Sequence, residues 1–183
     1  TDSWETSVPS YVHTILMKNR IIEDQVISIN DQKTAWVEEK VWAYHTVFEV
    51  KGENVGASEL VFEGLDTYAE VYLNRQLLAR YQNMFMVHKA DTSDLLKVGN
   101  NELDIVFYPV KEEARKKLPE GFWTNYSTER AFARKPGYHF GWDWTPRVAT
   151  VGIWRPVYLA FYSVSYIESI QVLTESVEED HSM

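Results

Sequence analysis

The sequence predicts one domain made mostly of antiparallel β-strands, arranged as a sandwich or a barrel. Two observations predict it. Most segments alternate apolar and polar residues with a period of two. A half-buried strand needs that alternation, because successive side chains leave opposite faces. Turn residues separate these segments at a spacing suited to antiparallel strands. At 183 residues, the chain is long enough for one domain with a proper core.

Ser10 is placed to cap a short helix that carries Val12, Ile15, Leu16 and Asn19 on one face. The first long strand is Trp42 to Val50, with Trp42, Tyr44, Thr46, Phe48 and Val50 on a common face, and Gly52-Glu53-Asn54 turns the chain after it. Leu60 and Phe62 belong to the next strand, and Gly64-Leu65-Asp66 reads as a turn. Ala69, Val71 and Leu73 repeat the pattern up to the turn Asn74-Arg75-Gln76. Gly99-Asn100 leads into a strand with Leu103, Ile105 and Phe107 on one side and Glu102 and Asp104 on the other. Lys111 to Leu118 reads as a second short helix, stopped by Pro119 and Gly121. Val157, Leu159 and Phe161 mark another strand. Tyr166 to Thr174 reads as the start of one more, with Ile170 and Val172 on one face and only an acidic tail behind it. A strand that begins something and then stops predicts that the natural chain continues.

Acidic residues outnumber basic ones by 27 to 18, and the net charge of -9 repels phosphate backbones, so nucleic acid is not an expected partner. The basic cluster Arg115 to Lys117 lies beside Glu112 and Glu113 and reads as a solvated helix face. There is no cysteine, which removes disulfides, thiolate metal sites and a thiol nucleophile together. That fits a reducing compartment, but periplasmic domains also lack cysteine, so the compartment stays open. The longest apolar runs, such as Val157 to Tyr162, are far too short to span a bilayer as a helix, so no membrane contact is expected. Thr1-Asp2-Ser3-Trp4 lacks the charged-then-apolar pattern of a secretory signal.

The search for chemistry finds no nucleophile elbow, P-loop or His-Glu-x-x-His. His13, His45, His88, His139 and His181 are scattered without ligand spacing, so no metal or cofactor is expected; His45 and His88 read as structural residues of strands. Glu38-Glu39, Glu112-Glu113 and Glu178-Glu179 are adjacent pairs whose side chains diverge, and they read as solvated faces. Asn101-Glu102 reads as the entry to a strand. Asn125-Tyr126-Ser127 is a glycosylation sequon.

One stretch stands apart. Glu120 to Val151 lacks regular alternation and is rich in aromatics and glycine, so function is expected there in preference to disorder. Aromatic content is 14% overall, and this stretch holds Tyr138-His139-Phe140-Gly141-Trp142-Asp143-Trp144-Thr145-Pro146-Arg147. An indole can cover the apolar face of a pyranose. A carboxylate accepts two hydrogen bonds from neighbouring hydroxyls in fixed geometry. The competing reading is that Trp142 and Trp144 are core aromatics and Asp143 pairs with Arg147.

These residues resemble the N-terminal domain of β-mannosidases in glycoside hydrolase family 2. Val8-Pro9 with Val12-His13, Phe62 to Ala69 with Val71 to Asn74, Arg134-Lys135, Tyr138 to Pro146 and Gly152 to Val157 carry the match, which runs from about Trp4 to Thr174. The sequence departs from the family where Thr145 stands in place of a usual Gly and Ser10-Tyr11 in place of Gly-Thr. The resemblance implies an all-β fold, a jelly-roll or galactose-binding-like β-sandwich with one or two short helices. It implies a sandwich over residues 1–164, with 165–183 opening a following immunoglobulin-like domain. The two catalytic glutamates would lie in a barrel beyond this chain, so no catalytic residue is expected here. Trp142 and Asp143 would contact the hydroxyls of a terminal β-mannoside, with Arg134, His139 and Trp144 in support. The partners implied are that substrate and the remaining domains of the parent chain. The compartment implied is bacterial periplasm or cytoplasm, or an animal lysosome. Two other readings stand beside it: a stand-alone carbohydrate-binding module, and a structural domain whose aromatic loop packs on a neighbour. A related exo-glucosaminidase or β-galactosidase is the alternative parent.

Overall fold

Period-two alternation produces the two longest strands, over Trp42–Val50 and Gly99–Tyr108. The computed structural model describes residues 2–52, 57–125, 127–162, 165–167 and 169–177. Its strands are β1 (Ser10–Tyr11), β2 (Trp42–Val50), β3 (Ser58–Phe62), β4 (Leu65–Asp66), β5 (Tyr68–Leu73), β6 (Gln76–Tyr81), β7 (His88–Asp91), β8 (Gly99–Tyr108), β9 (Gly152–Ile153) and β10 (Val157–Phe161). The helices are α1 (Val12–Lys18), α2 (Asn30–Lys33) and α3 (Val110–Arg115), with tighter 3-10 turns at Ala35–Glu39, Thr128–Phe132 and Gly137–Phe140.

The strands form a four-stranded sheet ordered β2-β8-β5-β6, a three-stranded sheet ordered β10-β3-β7, and a small sheet ordered β1-β9-β4. Every pairing between these strands is antiparallel. In β8 the burial alternates residue by residue, with Leu103, Ile105 and Phe107 inside. Val71 and Leu73 of β5 and Leu60 and Phe62 of β3 join them in one core. The Phe62 ring of the smaller large sheet lies 5.9 Å from Tyr81 of the four-stranded one, so the two sheets face each other as a sandwich. Each fully buried side chain of this kind contributes about 1.5–3 kcal/mol.

Several local expectations are corrected. Ser10 does not cap α1: it pairs with Ile153 in β1, and its carbonyl accepts a hydrogen bond from the Tyr44 hydroxyl at 2.9 Å. Gly64-Leu65-Asp66 does more than turn, because Leu65 and Asp66 form β4 against β9. Gly152, with φ +142°, makes that small sheet possible, since an added Cβ would meet the Tyr44 hydroxyl at 2.5 Å. The second helix spans Val110–Arg115 rather than Lys111 to Leu118. Arg115 is not simply solvated, since it donates to Glu129 at 2.6 Å.

The expected strand at Tyr166 to Thr174 is also absent: the described residues there have no strand assignment. A strand needs a ladder partner for its backbone groups. Ile167, Ile170, Val172 and Leu173 are 78%, 78%, 87% and 72% exposed. Glu178-Glu179, His181 and Tyr126 of the sequon fall outside the described residues.

Candidate functional site

The irregular stretch is fastened to the sandwich by a buried polar network. At the corner between β4 and β5 stands Asp66, and Lys135 reaches it with both side chains 0% exposed. Lys135 Nζ donates to both carboxylate oxygens at 2.5 Å and to the Thr150 carbonyl at 2.7 Å. All three ammonium hydrogens therefore have acceptors, which is the condition for keeping a buried pair. Burial pushes the Lys135 ammonium below its ordinary value, while Asp66 and then Glu38 push it back up.

Thr150 links the network to the turn above. Its hydroxyl donates to Asp66 Oδ2 at 2.7 Å and lies 3.2 Å from His139 Nδ1. A hydroxyl has one hydrogen, and the carboxylate is the stronger acceptor. With that hydrogen committed to Asp66, the Thr150 oxygen is left to accept from His139 Nδ1. Burial, and next the nearby Lys135 charge, lower His139 to about 4. His13, buried against the same charges, is also lowered to about 4, by burial first and Lys135 second.

The turn itself begins at Gly141, whose φ of +97° is a left-handed conformation suited to glycine. Trp142 and Thr145 then face each other in an isolated antiparallel bridge, with both backbone hydrogen bonds at 3.4 Å. Those are long for N–H···O bonds, so the turn is weakly held by itself. Asp143 and Trp144 occupy its tip, and Trp142, Asp143 and Trp144 are all exposed. The Arg130 guanidinium lies 5.2 Å from the Trp142 ring, and the Trp144 ring lies 6.0 Å from Tyr138. Arg147 closes the turn: Nε and Nη2 donate to Glu38 Oε1 and Oε2 at 2.9 and 3.0 Å. Its Nη1 reaches the Phe140 carbonyl at 3.4 Å.

The candidate residues thus divide. Trp142, Asp143 and Trp144 stand together on the outer surface of one turn. They are not the core aromatics of the competing reading, and the Arg147 guanidinium is held in two-point contact by Glu38. His139 faces inward to Thr150. Arg134 joins the arrangement through its backbone, bridging Asn83, with its carbonyl accepting from Met84 N at 3.1 Å. Sequence reasoning missed Lys135, Asp66, Arg130 and Glu38. It took Glu38 as solvated, whereas Glu38 is only 9% exposed and ion-paired.

Among the described residues, His45, Glu102 and Asp104 group with ligand atoms within 4.8 Å of one another, the spacing a cation would need. The group lies on the outer face of the four-stranded sheet, and Arg75 already pairs with Glu102 at 3.1 Å. A guanidinium at that carboxylate opposes a second positive charge.

The turn supplies one exposed carboxylate between two exposed indoles. Cleavage by the usual glycosidase route needs two carboxyl groups about 5–9.5 Å apart. Comparison with known proteins identifies the family of the domain. Residues 1–155 match the family described as Glycosyl hydrolase 2 galactose-binding domain-like. The chain belongs to this family.

Within the wider set of relatives, the domain is 39% identical to Beta-mannosidase B of Emericella nidulans over 99% of its own length. It spans 22% of that protein. It superposes on a β-D-mannosidase of Dictyoglomus thermophilum with a TM-score of 0.92 and 34% identity, covering 98% of this chain and 23% of that one. An exo-chitosanase of Amycolatopsis orientalis matches 57% of the chain at 25% identity and a TM-score of 0.51. The fold is the galactose-binding-like β-sandwich of this glycoside hydrolase family.

Proposed function

We propose that this domain is the non-catalytic N-terminal part of an exo-acting, retaining β-mannosidase. It lends Trp142 and Asp143 to the pocket for a terminal β-mannose. The observation that carries this reading is the exposed Trp142-Asp143-Trp144 turn on a domain 39% identical to Beta-mannosidase B. Asp143 accepts hydrogen bonds from two neighbouring sugar hydroxyls, and Trp142 covers the apolar side of the ring. The Arg130 guanidinium lies over the Trp142 ring. Trp144 and its neighbour Tyr138 border the turn, and His139 supports it from below. Asp143 acts by orientation and by hydrogen bonds that tighten in the transition state, not as an acid or nucleophile.

The acid and the nucleophile come from the rest of the parent chain, which is the second partner of this domain. The segment from residue 165 onward opens the next domain, and the exposed Ile167, Ile170, Val172 and Leu173 support that boundary.

The test is hydrolysis of aryl β-mannoside, β-galactoside and β-glucosaminide by the full-length parent, with and without Asp143→Ala. The mannoside is expected to be preferred, and Asp143→Ala to lower kcat/KM for it by about 100-fold with folding intact. A parent that prefers another sugar rejects the mannose assignment. An unchanged kcat/KM rejects the role of Asp143.

A further inference from the structure

We infer that Glu38 is a positioning residue for the carbohydrate-facing turn, acting through Arg147. The inference rests on the reading of Asp143 as a substrate contact.

The turn from Phe140 to Arg147 has two feet and a weak waist. Its internal bridge consists of two 3.4 Å hydrogen bonds, so the way the feet are held contributes to the direction of Asp143 at the tip. Arg147 spans both. It is itself the outgoing foot, and its Nη1 donates to the carbonyl of Phe140 on the incoming foot at 3.4 Å. Its guanidinium also lies 5.6 Å from the Phe140 ring, and Phe140 is packed with Tyr68, Val110, Ala114 and Ala133 at 2% exposure. An unheld arginine would sample many rotamers and tie nothing together. Glu38 removes that freedom by taking Nε and Nη2 on its two oxygens at 2.9 and 3.0 Å. A planar fork held at both prongs has its orientation fixed as well as its position.

Glu38 belongs to a different part of the molecule. It lies in the 3-10 turn Ala35–Glu39, 109 residues from Arg147, and its side chain is 8% exposed. That turn leads into β2, and the Trp42 indole of β2 donates back to the Val37 carbonyl at 2.8 Å. The clamp therefore refers the tip of the turn to the edge of the four-stranded sheet.

The test is a double-mutant cycle in the full-length parent, run on whichever aryl β-glycoside that parent cleaves best. Glu38→Gln keeps the shape and one acceptor but removes the charged fork. It is expected to lower kcat/KM by about 10-fold or more, since small misplacements of a positioning group cost up to about 100-fold. In an Asp143→Ala background the same change is expected to cost less than about twofold, because the group being positioned is gone. Glu38→Asp is expected to recover part of the loss. A purely structural Glu38 would give equal losses in both backgrounds, and that result overturns the inference.

The second readout needs no substrate. Backbone amides from Gly141 to Arg147 are expected to exchange about tenfold faster in Glu38→Gln, with those of β8 unchanged. Unaltered exchange in the turn overturns the inference even if the parent proves to act on another sugar. A parent preferring another sugar while the cycle remains non-additive rejects only the mannose reading.

Discussion

Lys135–Asp66 and Arg147–Glu38 fasten the same irregular stretch to the sandwich, yet they are built differently. The first pair is 0% exposed on both sides and closes on itself with Thr150. In the second, Arg147 remains 28% exposed and one edge of its fork faces the turn. A lysine ammonium is a compact charge that suits a closed cage, whereas an arginine fork can hold two objects in a fixed relation. The comparison teaches a division of labour. The buried pair secures the base of the segment, and the half-buried pair sets the direction of what the segment displays.

Breaking the buried pair should separate the two roles most sharply. Lys135→Met leaves the Asp66 carboxylate without its buried counter-ion and is expected to cost about 3–5 kcal/mol. Thermal unfolding should show it. The double change Lys135→Met with Asp66→Leu should cost less than Lys135→Met alone, because no unpaired charge remains. A single change worth less than about 1 kcal/mol would contradict the caged arrangement.

Acidification should act on the same base next most strongly. His13 and His139 are both lowered to about 4, so they stay neutral in the folded chain but bind protons in the unfolded one below its ordinary value of 6.5. The unfolded state then carries more protons, so stability falls as pH drops from 6.5 towards 4. For His13, which is 5% exposed, the loss between pH 7 and 5 is about 2 kcal/mol. Denaturant midpoints across this range should fall, and His13→Gln should flatten the slope.

Arg147→Lys should have the smallest effect on stability and so sharpen the contrast. It keeps the charge but loses the fork, and is expected to cost about 1 kcal/mol in unfolding while lowering kcat/KM as Glu38→Gln does. Equal losses in stability for Arg147→Lys and Lys135→Met would erase the distinction between the pairs.

The sandwich was legible in the sequence because alternation is a local signal. Leu103, Ile105 and Phe107 announce a buried face, and that face packs in the core. For Trp142-Asp143-Trp144 the sequence left a core reading open, because a segment without a period does not say which side its aromatics face; only the fold places the three on the surface. Ser10 was misread because a serine before an apolar period fits a helix cap, while its actual partner, Ile153, lies far along the chain. Glu38 carried no local sign at all. Its neighbour Glu39 made it look like a solvated pair, and only a partner 109 residues away explains its burial. Asp66 carried no distinguishing sign either, since Glu63 and Glu70 are equally charged neighbours between Leu60 and Leu73.

The late strands give this domain a schedule. β9 lies between β1 and β4 in its sheet, and β10 pairs with β3 in the register Val157↔Phe62 to Phe161↔Ser58. Segments made early must therefore wait for segments made roughly a hundred residues later. At translation speeds of about 5–20 residues per second, that wait lasts several seconds. During it, β3 is paired with β7 on one side, while the edge that β10 will take stays open. Until β10 emerges, that open edge is the place where the nascent chain can mispair.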